Sequence, residues 1–282
     1  MTRPIPVLAA LLLAAAIPGA RTQGARAQEA APPIAADPVR PGQPARVPYL
    51  APGALDTTAV LPPPPPPGSE AARADKAAYD ATRALKDTPR WHLATHDVAS
   101  GVASLLDDFS CSIGRRLDPA RLPVMIGLLE RTRLDVVEAV RRPKEVYRRE
   151  RPHLGNDAPI CVARTEPLAR SPSYPSGHTT EGWTFALILA AAMPEHATAI
   201  LRRGRIYGES RIVCGVHWPS DVEAGRDNGA ALFAALQGSA AFRADLDAAR
   251  AELAAILPAL GAADPDPATC AMEAAAAGKP LP

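Results

Sequence analysis

From Glu70 onward the sequence keeps a helical period and offers few β-branched runs, so the fold open to it is a set of packed α-helices. The stretch from Ala72 to Lys86 is alanine-rich, Leu93 to Asp108 spaces its apolar residues at i, i+3 and i+4, and Pro123 to Val140 continues in that style. Asp118-Pro119 and Ser220-Asp221 carry the capping residue or first-turn proline of helix starts, with one helix continuing from Pro219 through Val222 to Leu236. A last helix is expected from Phe242 to Ile256, and no internal repeat is evident. The expectation is one all-α domain over residues 48–260, followed by a poorly ordered tail at 261–282.

The N-terminus reads differently. A positive start at Arg3, an apolar stretch from Ile5 to Ile17 and Ala25-Arg26-Ala27 describe a secretory signal peptide at 1–27, cut after Ala27. Residues 28–47 are rich in Pro, Ala and Arg without a helical or strand period, which is the composition of a flexible lead. The prolines from Pro62 to Pro67 predict polyproline II, favoured as a rigid spacer over a ligand for an aromatic groove. No later segment has some eighteen uninterrupted apolar residues, so no membrane span is expected in the mature chain. A net charge of +1 gives no electrostatic case for nucleic acid. The expected location is periplasmic or secreted.

Three short segments carry chemistry. Lys144 and Arg151 are seven residues apart, so on a helix they share a face and converge on one anion. Arg211 adds a third cation whose planar fork can grip two phosphate oxygens. Pro175-Ser176-Gly177-His178 precedes the apolar run from Trp183 to Met193 and reads as a loop feeding a helix N-terminus, where free N–H groups receive an oxyanion and His178 lies beside it. His217 and Asp221 are four apart, so the carboxylate can accept the Nδ1 proton and leave Nε2 as a lone pair aimed at phosphorus. Metal ligation by His178, His217 and Asp221 fits poorly, because the remaining partners are Lys and Arg and repel a divalent cation. No metal and no cofactor are expected. Ser176 lacks the G-x-S-x-G elbow of an acyl-transfer nucleophile. Arg141, Arg142 and Arg149 read as a solvated basic face, and His92, His96 and His196 as surface or structural histidines.

In this order, K-x6-R-P, P-S-G-H and S-R-x5-H-x3-D resemble the signature of the type 2 phosphatidic acid phosphatase superfamily. Within it, Ser173 to Thr179 and Cys214-Gly215-Val216-His217-Trp218 are similar to the bacterial class A nonspecific acid phosphatases. The resemblance fixes eleven identities between Lys144 and Asp221, with softer similarity from Tyr49 to Leu253. It implies a helical bundle of the acid phosphatase and vanadium haloperoxidase type, hydrolysing small-molecule phosphomonoesters, inhibited by vanadate, and assembled as a homo-oligomer. By resemblance, His217 is the nucleophile that forms a phosphohistidine, Asp221 orients it, and His178 is the general acid. Lys144, Arg151 and Arg211 bind the phosphoryl oxygens with Ser176 and the Gly177 backbone. A vanadate-dependent haloperoxidase is the alternative enzyme, and a non-catalytic phosphate-binding protein the alternative outside enzymes.

Two residues depart from the family pattern. Pro172 stands where class A has Gly, and His153 follows Arg151-Pro152 where an aromatic is common, which would put a titrating group near the pocket mouth. Cys111, Cys161, Cys214 and Cys270 form an even set in an exported chain and allow three pairings. A Cys161–Cys214 bridge is favoured, because it would tie two phosphate-binding segments together. The alternative is Cys214 as a buried small hydrophobe.

Overall fold

The computed structural model describes residues 46–259 and 264–282, so the expected signal peptide at 1–27 and the expected lead up to residue 45 lie outside the described residues. Among the described residues there is no β-strand. The principal helices are α1 (Glu70–Thr82), α2 (Pro89–His96), α3 (Val102–Asp108), α4 (Pro123–Tyr147), α5 (Gly177–Ala192), α6 (Ala197–Val213), α7 (Pro219–Leu236), α8 (Ala240–Ile256) and α9 (Pro267–Ala277).

Helix α5 is the centre of the bundle. Phe185, Ala186, Ile188 and Leu189 are fully buried, and only the stripe of Trp183, Leu187 and Ala191 is partly exposed, so nearly all of its surface is packed against neighbours. Close neighbours follow from small residues on α6 and α7. A Cβ at Gly204 would lie 2.6 Å from that of Ala186, and one at Gly225 would lie 2.7 Å from the Ser176 carbonyl oxygen. Helices α4 and α8 close the other side through Leu128, Leu129, Val136, Phe242 and Leu253. Near the chain start, Tyr49 packs edge-on against Phe242, and the N–H groups of Tyr49 and Leu50 donate to the Asp135 carboxylate at 3.0 and 2.9 Å.

Helix α4 runs past the Val140 expected from sequence and continues through Pro143. A proline there removes the hydrogen bond to the carbonyl four residues back. That carbonyl, on Ala139, instead accepts from Thr57 Oγ1 at 2.8 Å and Asn228 Nδ2 at 3.1 Å. Side chains from two other segments thus replace the lost bond, and the helix carries Lys144 to its last turn. The Leu93–Asp108 period, by contrast, breaks into α2 and α3 around Gly101, which has φ 102°.

The expectation of a poorly ordered tail is corrected for its described part. Residues 267–277 form α9, tethered by a Cys111–Cys270 disulfide and by Glu273, which accepts from Arg203 Nε at 2.8 Å. Arg203 is 2 % exposed and also pairs with Asp97 and Asp108. The alanine-rich tail has only a small apolar contact, Ala276 and Met272 against Leu93 and Ile206, so a covalent bond and a buried ion pair add to its anchoring. Cys161 and Cys214 form the second disulfide, the favoured pairing, inside a small core of Trp91, Ala94, Val98 and Val216.

Candidate active site

The three segments meet. Lys144, Arg151, Gly177, His178, Arg211 and His217 line one cavity of about 630 Å³, and Asp221 lies buried behind His217. The route by which Lys144 and Arg151 converge differs from the shared helical face expected. Helix α4 ends at Tyr147, and Arg148 adopts the left-handed conformation with φ 45°, turning residues 149–151 back over the cavity as a loop. The next loop then holds the two cations by its carbonyls: Arg151 Nε donates to Ser171 O at 2.7 Å, and Lys144 Nζ donates to Pro172 O. Pro172 lacks an N–H, yet its carbonyl is the group in use.

Ser176 is the N-cap of α5. Its side-chain oxygen accepts from the Thr179 N–H at 3.4 Å and the Thr179 hydroxyl at 2.9 Å, and the cavity is lined by Gly177 rather than by Ser176. The first turn of a helix therefore opens onto a space already ringed by cations, the arrangement that favours an anion. Arg211, in the last turn of α6, is buried, and its Nε and one Nη have no protein acceptor. An unsatisfied guanidinium in such a cavity is costly unless an oxyanion fills it.

The tautomer of His217 follows from its neighbours. Ser173 Oγ donates to Asp221 Oδ2, so the serine lone pair is left to accept from His217 Nδ1, 3.2 Å away. Asp221 Oδ2 itself lies 3.4 Å from Nδ1. Nδ1 carries the proton, and Nε2 presents its lone pair to the N–H of Arg151 at 3.2 Å. Burial, followed by Arg151, Lys144 and Arg211, pushes the imidazole well below its usual pKa and keeps it neutral. His178 is likewise pushed well below the usual range by burial, Arg211 and His217, while the Val98 carbonyl, 3.3 Å from Nε2, works in the opposite direction.

Four placements were not anticipated. Arg149, expected on a solvated face, points inward and donates to Asp221 Oδ1 at 2.7 Å and Asp75 Oδ2 at 2.7 Å. Asp75 arrives from α1 and also accepts from the Ser220 N–H at 3.0 Å. Ser173 stands between His217 and Asp221. His153, expected near the mouth, is buried, does not line the cavity, and is pushed down to about 4 by burial, Arg151 and Arg164, so it stays neutral through mildly acidic pH. Arg141 is solvated as expected, paired with Glu138 and Glu145. Away from the site, His96, Asp97 and Asp108 have metal-ligand spacing, but His96 lies 3.1 Å from Asp108 and the Arg203 guanidinium already supplies the cluster's positive charge.

The PAP2 superfamily profile matches residues 131–242, which span all three segments. An acid phosphatase of Zymomonas mobilis is 46% identical over 187 residues, covering 66% of this chain and 71% of the relative. A non-specific acid phosphatase of Salmonella typhimurium is 38% identical over 195 residues, covering 68% and 78%. One of Providencia stuartii is 36% identical over 203 residues, covering 71% and 82%. No helix among the described residues is long and apolar enough to cross a membrane.

Proposed function

The chain belongs to the PAP2 superfamily and is a phosphatase, and from that premise we propose an exported, metal-independent acid phosphatase that hydrolyses a broad range of phosphomonoesters through a phosphohistidine. The observation that carries this reading is the His217 Nε2 lone pair, facing a cavity ringed by Lys144, Arg151 and Arg211 with a carboxylate behind the ring.

In the first step Nε2 attacks phosphorus, the N–P bond forms and the ester P–O bond breaks. His178 gives its proton to the departing oxygen. The three cations and the N–H groups at the start of α5 stabilise charge on the other phosphoryl oxygens, which is where fixed dipoles and cations contribute most in phosphoryl transfer. Asp221 balances the positive charge that the imidazole acquires. Water then attacks phosphorus, returns a proton to His178, and restores the lone pair to His217.

His178 must be protonated to act, although burial and then the neighbouring cations oppose it. A phosphoryl dianion in the cage offsets the positive charge of the three cations and favours the imidazolium, so the enzyme–substrate complex holds the acid and the optimum is acidic. The donor set argues for metal-free chemistry, since Lys and Arg repel a divalent ion. Export is supported by the N-terminal sequence and by two disulfides. The cavity is far larger than a phosphate, and its outer lining of Val137, Val140, Leu154, Leu168 and Arg170 mixes apolar and charged groups, which suits varied leaving groups.

His217→Ala should abolish release of a chromogenic alcohol from its phosphate ester and the labelled protein trapped by denaturant quench. Substantial remaining turnover would overturn the assignment, and loss of wild-type activity on chelation would overturn the metal-free chemistry.

A further inference from the structure

We propose that Asp75 and Arg149 are positioning residues of the reaction, forming a clamp that holds the Asp221 carboxylate behind His217; this rests on His217 being the nitrogen that is phosphorylated. The clamp is built from three parts of the chain. Arg149 spans two carboxylates with its fork, one Nη reaching Asp221 Oδ1 and the other Asp75 Oδ2, each at 2.7 Å. Ser220 closes the ring: its hydroxyl accepts from Arg149 at 2.6 Å and donates to Asp75, while its N–H donates to Asp75 Oδ1. The guanidinium lies 5.5 Å from the Trp218 ring, which covers it. A lysine ammonium cannot span both acids in this geometry.

The chemistry gives the clamp its use. As the N–P bond forms, the imidazole becomes a cation and its Nδ1 proton becomes more acidic. Asp221 stabilises that cation as long as it remains a carboxylate and does not take the proton. A guanidinium on Oδ1, with Ser173 Oγ and the Trp218 N–H on Oδ2, occupies the carboxylate's acceptor sites and fixes its plane. The proton stays on Nδ1, and the lone pair returns to Nε2 when water attacks. Arg149 borders the cavity, but its hydrogen bonds go to acids behind the ring; Asp75 does not line the cavity and comes from α1, outside the residues matched by the superfamily profile. The N-terminal segment therefore contributes to the reaction without touching substrate.

The test is kinetic. Asp75→Asn and Arg149→Gln should each lower kcat about tenfold to a hundredfold, as misplacement of a reacting group does, with inhibition by inorganic phosphate changed less than about twofold. The double variant should be no slower than the slower single, because both act through one clamp, and Arg149→Lys should recover part of the rate. If Asp75→Asn does not fold, Ser220→Ala removes one hydroxyl of the same ring and should lower kcat about threefold. Unchanged kcat in the folded variants, multiplicative losses, or weakened phosphate binding with kcat intact would overturn the clamp. Trapping the phosphorylated wild-type protein separates the two readings: no label on His217 sinks the nucleophile assignment itself, whereas a label there with unaffected clamp variants sinks the clamp alone.

Discussion

Ser173 Oγ lies closer to His217 Nδ1, at 3.2 Å, than does the Asp221 carboxylate at 3.4 Å, and the same hydroxyl donates to Asp221. The serine therefore relays between ring and acid. It also makes the tautomer unambiguous, since one hydroxyl cannot donate its single proton to both partners.

Replacing Ser173 by alanine leaves His217 with one long contact to Asp221 and removes a donor from a fully buried carboxylate. We expect kcat to fall about tenfold with KM little changed, because the hydroxyl does not reach the cavity, and stability to fall by about 1–3 kcal/mol. Steady-state kinetics and urea unfolding measure both. An unchanged kcat in a folded Ser173→Ala protein would remove the serine from the relay.

The convergence of the three segments was legible in sequence because it rests on residue types held in fixed order. Lys144, Arg151, His178, Arg211, His217 and Asp221 are all brought to one place. Less legible was anything set by backbone turns without glycine. Arg148 enters the left-handed region with no sequence mark for it, and that turn takes Arg149 off the expected solvated face and points it at Asp221. Helix α4 passes Pro143 because Thr57 and Asn228, distant in sequence, satisfy the Ala139 carbonyl. No local period carries that information. Ser173 was visible inside the Ser-Tyr-Pro-Ser-Gly-His run, but its role needed the three-dimensional order of donor and acceptor. Asp75 looked like any other acid on a polar alanine-rich helix.

Both site histidines tie stability to pH. In the folded protein they are held well below their usual pKa, whereas in the unfolded chain each titrates near 6.5. Below that value the unfolded state binds more protons, so each contributes stability above about pH 6.5 that is lost as pH falls toward the folded value. The slope is about 1.4 kcal/mol per pH unit for each ring that stays neutral. Asp108, pushed up by burial to about 6, and Glu273, pushed up by burial to about 7, act in the opposite sense over the same range. The histidine contribution therefore shows in a comparison: His217→Asn should gain stability relative to wild type as pH is lowered from 7 to 5 in phosphate-free buffer. Parallel Tm curves for the two proteins would show that the ring is not held neutral.

The two disulfides should separate in their effects. Cys161–Cys214 joins the segment after Arg151-Pro152 to the loop carrying His217, and the Cys161 N–H donates to the Cys214 carbonyl at 3.0 Å. Cys111–Cys270 instead anchors α9, which is also held by Glu273 on Arg203 and by Ala276 against Leu93 and Ile206. Removing either cross-link frees a long stretch of unfolded chain, at a cost of about 2–5 kcal/mol. Only the first also loosens the support of Arg151 and His217, whose Nη1–Nε2 contact runs beside the Val216 carbonyl that Arg151 grips at 2.8 Å. The Cys161→Ser, Cys214→Ser double variant should thus lose kcat by about tenfold or more at a temperature where it remains folded, a misplacement effect. The Cys111→Ser, Cys270→Ser protein should melt earlier but keep kcat near wild type under the same conditions. Equal loss of kcat in both would mean that the bridge at Cys214 stabilises the fold generally and has no particular hold on the catalytic loop.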